Sequence, residues 1–292
     1  MNINNIIIDT DIGDDIDDIW AVVYALINPQ FKVRAISVTS GNVDYKAKLV
    51  AKILKELNQT DVLIIKGKAI LNGCNAQQRW LNDFTDYEGE ITNEYNLAYQ
   101  TLFNKYNDIT IFELGPINDL ANFIKSFNNK EKINLIMMGG AYKKGYLGED
   151  KPEAEANLIY SYSAFNELIK SIKITLLPLD VCRSLIINKE LYQELLKSKK
   201  KNIKLLLDNY HIWQSDYLGG AKKFNLLEST SVLFDIVVPL YYLYGNLFKV
   251  ENLKIKSNEK GCLIEGEKEI KIATLVNENE LMNRYVADLL RY

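Results

Sequence analysis

Six aspartates, Asp9, Asp11, Asp14, Asp15, Asp17 and Asp18, fall within ten residues directly behind the apolar run Ile6-Ile7-Ile8. So many ionised carboxylates repel one another unless a positive charge sits among them, and a hard divalent cation with oxygen ligands meets that need. Residues 3–8 have the length and branching of a buried strand, and residues 19–27 read as a helix ended by Asn28-Pro29. The acids thus occupy the junction between a strand's carboxyl end and a helix's start. Ligands bind at that edge of open α/β sheets, and the helix dipole favours negative charge there. Helix capping accounts for Asp14 and Asp15, but capping employs only one or two acids. The cluster as a whole reads as a metal site.

The elements that must position it alternate along the chain. Strands are predicted at 32–39, 62–66, 109–114, 133–138 and 172–178, and helices at 45–57, 93–106, 117–127 and 163–170. A polar segment runs through Glu90. Residues 189–218 read as helical, 237–244 as an apolar helix, and 261–276 as a terminal pair of strands before a last helix. This alternation predicts an α/β fold with an open, mainly parallel sheet covered by helices on both faces, as one domain over 1–292. Polar residues collect at the predicted strand ends, in Ser40-Gly41-Asn42, Leu114-Gly115-Pro116 and Gly139-Gly140-Ala141, with Asp180 similarly placed. Asp235 interrupts the apolar stretch 232–238. A lone acid there is costly to bury unless it is paired, caps a helix or coordinates a metal; both of the last two readings fit.

With 292 residues, 48% of them hydrophobic, the chain can bury a sizeable core. A net charge of −3 gives no electrostatic case for nucleic acid or an anionic membrane. The run Lys199-Lys200-Lys201 is short and reads as a solvated helix face. Cys74, Cys182 and Cys262 are widely spaced and odd in number, which points to reduced thiols in a cytoplasmic protein rather than a disulfide framework or a zinc site. No stretch has the length of a membrane span.

These residues resemble the calcium-dependent nucleoside hydrolase family, of the inosine-uridine type. Asp9-Thr10-Asp11-Ile12-Gly13 matches the start of its Asp-x-Asp-x-Gly-x-Asp-Asp motif, and Asp17-Asp18 matches the final pair, with Asp14-Asp15 as a two-residue expansion. Thr39-Ser40-Gly41-Asn42, the segment from Glu113 through Ala121, Met138-Gly139-Gly140-Ala141, Ala154-Glu155-Ala156-Asn157, Leu179-Asp180-Val181 and Asp235 follow in family order. The resemblance implies Ca²⁺ held by Asp11, Asp18, Asp235 and the carbonyl of Leu114. It also implies ribose held by Asp17, Asn42, Glu155 and Asn157, with Met138 lining the sugar pocket. The implied reaction is hydrolysis of the N-glycosidic bond of a ribonucleoside, with Asp11 as general base toward water. A homodimer or homotetramer is implied as well. Carboxylates and amides suit the chemistry, since the sugar develops oxocarbenium-like charge as the bond breaks.

The leaving-group side departs from the family pattern. Phe234 stands where many relatives carry a histidine, a second family histidine is missing, and Ala156 replaces a bulky aromatic, which enlarges the pocket. His211, the sole histidine, is a candidate proton donor or a structural residue. Trp80 and Trp213 are candidates for stacking on the base or for simple packing. Two other readings compete: a haloacid-dehalogenase-like Mg²⁺ phosphatase with Asp9 as nucleophile, and a non-catalytic calcium and nucleoside binder. Phosphate release, free ribose, and binding without turnover distinguish the three.

Overall fold

The computed structural model describes residues 4–68, 73–82, 84–216 and 229–292. The strands are β1 (Asn4–Thr10), β2 (Phe31–Val38), β3 (Leu63–Lys66), β4 (Ile91–Thr92), β5 (Ile109–Glu113), β6 (Ile133–Met138), β7 (Lys173–Leu177), β8 (Phe248–Ser257), β9 (Leu263–Glu265) and β10 (Lys268–Val276). They form one ten-stranded sheet in the order β4-β3-β2-β1-β5-β6-β7-β10-β8-β9. Neighbours from β4 to β10 pair parallel, and β8 joins both β10 and β9 antiparallel.

The chain builds outward from β1 to one side, then returns and builds from β5 to the other. The order therefore reverses between β1 and β5, and such a reversal opens a crevice at the strands' carboxyl ends. The acid segment leaves β1 there, and Leu114-Gly115 leaves β5.

Parallel strands covered on both faces read as continuous apolar runs, and β1 shows why. Ile6 and Ile8 face one core, shared with α1 (Asp17–Ile27), α2 (Val43–Glu56) and, further along the chain, α9 (Lys201–Asp216), α10 (Val237–Tyr244) and α11 (Glu278–Arg291). Ile7 faces the other, with α4 (Tyr95–Lys105), α5 (Asn118–Ser126) and α6 (Ala156–Leu168). Short α3 (Gln78–Leu81) and α7 (Leu179–Cys182) and the longer α8 (Lys189–Lys197) complete the helices named here. Among the described residues no helix is long and apolar enough to cross a membrane.

Several expected boundaries move. Helix α1 starts at Asp17, and neither extra acid caps it through a side chain: Asp15 accepts from the adjacent Ile16 N–H at 2.7 Å, while Asp14 bonds elsewhere. Helix α6 starts at Ala156 rather than 163, because the Glu155 carboxylate accepts from Asn157 N and Leu158 N and caps it. The stretch 189–218 splits into α8 and α9 across Ser198–Lys200, and its last two residues lie outside the described part. Residues 261–276 hold the two expected strands, β9 and β10, each paired with β8 rather than with the other, and β8 is a strand that the sequence reading left out.

Strand alternation also sends Asp9 to the Ile7 face, away from the other acids. Its carboxylate accepts from the Tyr95 hydroxyl and from the Tyr99 hydroxyl at 3.0 Å, and Glu113 is its neighbour in register. Burial pushes the Asp9 carboxyl up to about 7. Tyr99 also meets the Ser37 hydroxyl at 2.7 Å. Replacement Tyr99→Phe strips both contacts from a dry site, so urea unfolding should show a loss of about 1–3 kcal/mol. An unchanged midpoint would mean that this hydroxyl does not brace Asp9.

Candidate metal and substrate site

The crevice is a cleft of about 470 Å³, within the roughly 300–1,000 Å³ typical of small-ligand pockets. At its floor Asp17 and Asp18, in the first turn of α1, meet Asp235 from the 3₁₀ turn Phe234–Ile236. One carboxylate oxygen from each lies within 4.8 Å of the others, and all three residues are buried. Oxygens bound to one Ca²⁺ at about 2.3–2.6 Å have this spread. Asp11 and Leu114 line the same cleft.

Burial pushes the Asp18 and Asp235 carboxyls well above the usual range, and repulsion from neighbouring acids adds to it. Asp17 moves the same way, for burial first and then the charge of Asp15. Asp11 is pushed up to about 6 by burial, a rise limited by the Lys46 ammonium. Buried acids that repel one another and lack full compensation fit a cation, and the all-oxygen donor set fits a hard one.

Other residues shape the acid loop. The Thr10 hydroxyl donates to Asp18 and receives the Ile12 N–H at 3.1 Å. Lys46 is fully buried, and its ammonium donates to the Asp11 carbonyl oxygen and to the Asp14 carboxylate at 3.0 Å. Asp14 also accepts from Cys74 N at 2.8 Å. Gly115 must be glycine for space, since a Cβ would stand 2.9 Å from Asp11 N and 3.0 Å from its carboxylate.

The residues expected to hold the sugar come from the turn after β6 and the start of α6. Glu155 accepts from Gly140 N at 2.6 Å, Leu158 N at 3.0 Å and Asn157 N at 2.8 Å, tying the turn after β6 to the start of α6. The Asn157 amide donates to Leu114 O at 2.8 Å and to Met138 O at 3.3 Å. Tyr146 packs edge-on against Phe234, with ring centroids 5.5 Å apart, and its hydroxyl accepts from Ala156 N at 3.0 Å. It thereby occupies part of the room left by Ala156. Asp180 lies back from the cleft and accepts from Tyr142 N and Lys143 N, each at 2.9 Å.

The fold brings Asp11, Asp17, Asp18, Leu114, Met138, Glu155, Asn157 and Asp235 together in the cleft. It places four others outside its lining. Asn42 is exposed and caps α2 by accepting from Tyr45 N at 3.1 Å, while Ser40 lines the cleft. Trp80 is buried under the Lys52 ammonium, which lies 4.4 Å from its ring centroid. Trp213 packs behind the acid loop and donates to Asp14 O at 3.4 Å. His211 is exposed, 3.1 Å from the Tyr192 hydroxyl.

Sequence reasoning missed Lys46, Thr10 and Tyr146. Lys46 did leave a signal: it shares a helical stripe with the buried Leu49, Val50 and Ile53, where a charge needs a partner.

Residues 6–283 match the family described as inosine-uridine preferring nucleoside hydrolase. Uridine nucleosidase 1 of Arabidopsis thaliana is 28% identical over 243 residues, which cover 74% of this chain and 70% of that protein. A pyrimidine-specific ribonucleoside hydrolase, RihA of Shewanella sp. (strain MR-7), is 27% identical over 192 residues, covering 60% of this chain and 59% of its own. The match thus spans under two-thirds of the RihA chain. Among solved structures, the plant nucleoside hydrolase PpNRh1 superposes with a TM-score of 0.82 at 18% identity, covering 99% of both chains. The purine-preferring ribonucleoside hydrolase from Gardnerella vaginalis does so with 0.79 at 18% identity, covering 99% of this chain and 98% of that one. At these identities the likeness speaks for the fold. With the family match running from residue 6 to 283 and the acid loop seated where the strand order reverses, the chain belongs to the inosine-uridine preferring nucleoside hydrolases, which hydrolyse N-glycosyl compounds.

Proposed function

We propose that the protein cleaves ribonucleosides to ribose and free base with Ca²⁺ as its metal and Asp11 as general base. The observation that carries this reading is the buried Asp17, Asp18 and Asp235 group beside Asp11 at the sheet's crevice. Asp11, Asp18, Asp235 and the Leu114 carbonyl would hold the ion, which lowers the pKa of a bound water and orients it. Asp11 would take the proton of the attacking water as its oxygen joins C1′ and the C1′–N bond breaks. Asp17, Glu155 and Asn157 face the ribose hydroxyls, Met138 lines the sugar pocket, and the surrounding carboxylates stabilise the positive charge that grows on the sugar. With three backbone N–H groups on it, Glu155 is a rigid acceptor whose remaining capacity points to the substrate. The continuous sheet supports one domain over 1–292, and the three free cysteines support a cytoplasmic setting. The homo-oligomer rests on the family resemblance.

Incubation with inosine, adenosine, guanosine, uridine and cytidine should release reducing sugar from at least one, with loss of release on chelation and recovery with Ca²⁺. Phosphate release from phosphate esters, or nucleoside binding without turnover when Ca²⁺ is bound, would refute the reading. The variant Asp11→Ala should keep its unfolding midpoint and lose activity by a factor on the order of 10²–10⁴; full activity would remove Asp11 from the mechanism.

Metal affinity should also follow pH. Because burial pushes Asp11 up to about 6 and lifts Asp18 and Asp235 well above the usual carboxylate range, protons compete with the ion. Calorimetric Ca²⁺ affinity should fall at least about tenfold per pH unit below 6, the slope for one displaced proton. A flat profile between pH 5 and 8 would show that these carboxyls are not the ligands.

A further inference from the structure

We propose that Ser40 is a catalytic residue of this cleft, its hydroxyl donating a hydrogen bond to the departing base at the acceptor atom beside the glycosidic nitrogen, purine N3 or pyrimidine O2. The inference rests on the N-ribosidic hydrolysis proposed above and assigns its leaving-group contact.

Ser40 follows β2 with φ 61°, in the left-handed region that disfavours a residue with a Cβ. Gly41 after it is left-handed too, at φ 56°, and lies so close to the backbone of Gly73 that a Cβ would stand 3.2 Å away, which holds the turn in place. Glycine at position 40 would suit this backbone better, so the side chain is not there for the fold. Nor does its hydroxyl serve the fold. The other hydroxyls at the carboxyl ends of β1 and β2 are engaged: Thr10 donates to Asp18, Ser37 meets Tyr99, and Thr39 donates to Asp119 at 3.1 Å. Ser40 is only 5% exposed, yet among the described residues its hydroxyl has no hydrogen-bond partner, and its oxygen is not sealed in but opens on the cleft that the residue lines. Backbone strain that holds a free donor in a cleft is the mark of a ligand contact.

Sheet order says which part of the substrate it meets. Across the strand ends the order β2-β1-β5-β6 sets Ser40, Asp11, Leu114 and Met138 along the cleft, three strand spacings or about 14 Å from first to last. The sugar residues Met138, Glu155 and Asn157 take the β6 end, as does the Tyr146 hydroxyl on Ala156 N. The attacking water and Asp11 take the middle. With the sugar to one side of the reacting carbon, the base extends to the other, toward β2 and Ser40. As the C1′–N bond breaks, its electron pair passes to the base and spreads onto the acceptor next to the glycosidic nitrogen. A hydrogen bond placed there strengthens as the charge grows, and so lowers the barrier rather than merely binding substrate. The water's proton goes to Asp11 and on to solvent, Ser40 keeps its own, and the base takes one from solvent once released. Ribose and neutral base are the products.

The test compares wild type with Ser40→Gly and Ser40→Ala, all loaded with Ca²⁺, on the best of the five nucleosides and on p-nitrophenyl β-D-ribofuranoside, whose nitrophenolate departs without help. Both variants should lose about 10²-fold in kcat on the nucleoside with KM little changed, and less than about threefold on the nitrophenyl riboside, the pattern of a lost transition-state donor. Urea unfolding of Ser40→Gly should keep or raise the wild-type midpoint, since glycine relieves the left-handed strain. An equal loss on both substrates, which marks a sugar contact, a loss confined to KM, an unchanged kcat, or a fall in the Ser40→Gly midpoint overturns the inference and leaves the hydrolase reading intact. Ribose release from none of the nucleosides, with Ca²⁺ bound, overturns both.

Discussion

Carboxylates drawn out of water at the end of β1 impose the condition that the rest of the structure answers. Asp11, Asp17, Asp18 and Asp235 are packed where solvent screens them poorly, and each is held above its ordinary pKa chiefly by burial. The surroundings return part of the cost through the N-terminus of α1, the Thr10 hydroxyl and the Lys46 ammonium. What is left uncompensated is the affinity of the site for a cation. Charge repulsion that would weaken an ordinary core thereby leaves an all-oxygen donor set of the kind that suits a hard cation.

The sheet makes this arrangement buildable. A crevice at the strand-order reversal brings the segments after β1 and β5 side by side, and parallel pairing places Leu114 next to the acid loop. Close approach of two backbones then demands Gly115. On the far side, Glu155 does two tasks with one carboxylate, capping α6 and facing the cleft. Asn157 likewise donates to the Leu114 carbonyl while it lines the cleft.

Much of this was legible in the chain. The alternation of branched runs and helical stripes announced a parallel sheet, because strands covered on both faces read as mainly apolar runs; Asp235 stood out as a lone acid in another apolar stretch. Family order placed Glu155 and Asn157. The rest depended on direction in space, which local pattern does not encode. Trp80, Trp213 and His211 sit on segments near the crevice, yet their side chains turn into packing or outward to solvent. Asn42 is spent on a helix cap, a role open to asparagine at any helix start. Tyr146 lies in a polar loop without periodicity, and only tertiary closure brings it against Phe234 and the backbone of Ala156. Lys46 was hidden by its type, since lysine on a helix ordinarily means solvent.

That buried lysine separates two events which metal sites often merge. In a site held together by its ion alone, the ligands disperse when the ion leaves, and loading is inseparable from local folding. Here the Lys46 ammonium on α2 grips the carbonyl of Asp11 and the side chain of Asp14, so the loop's course is held from within the chain. A cation meeting such a frame would order little further chain, so that binding it and folding the loop would be separate events.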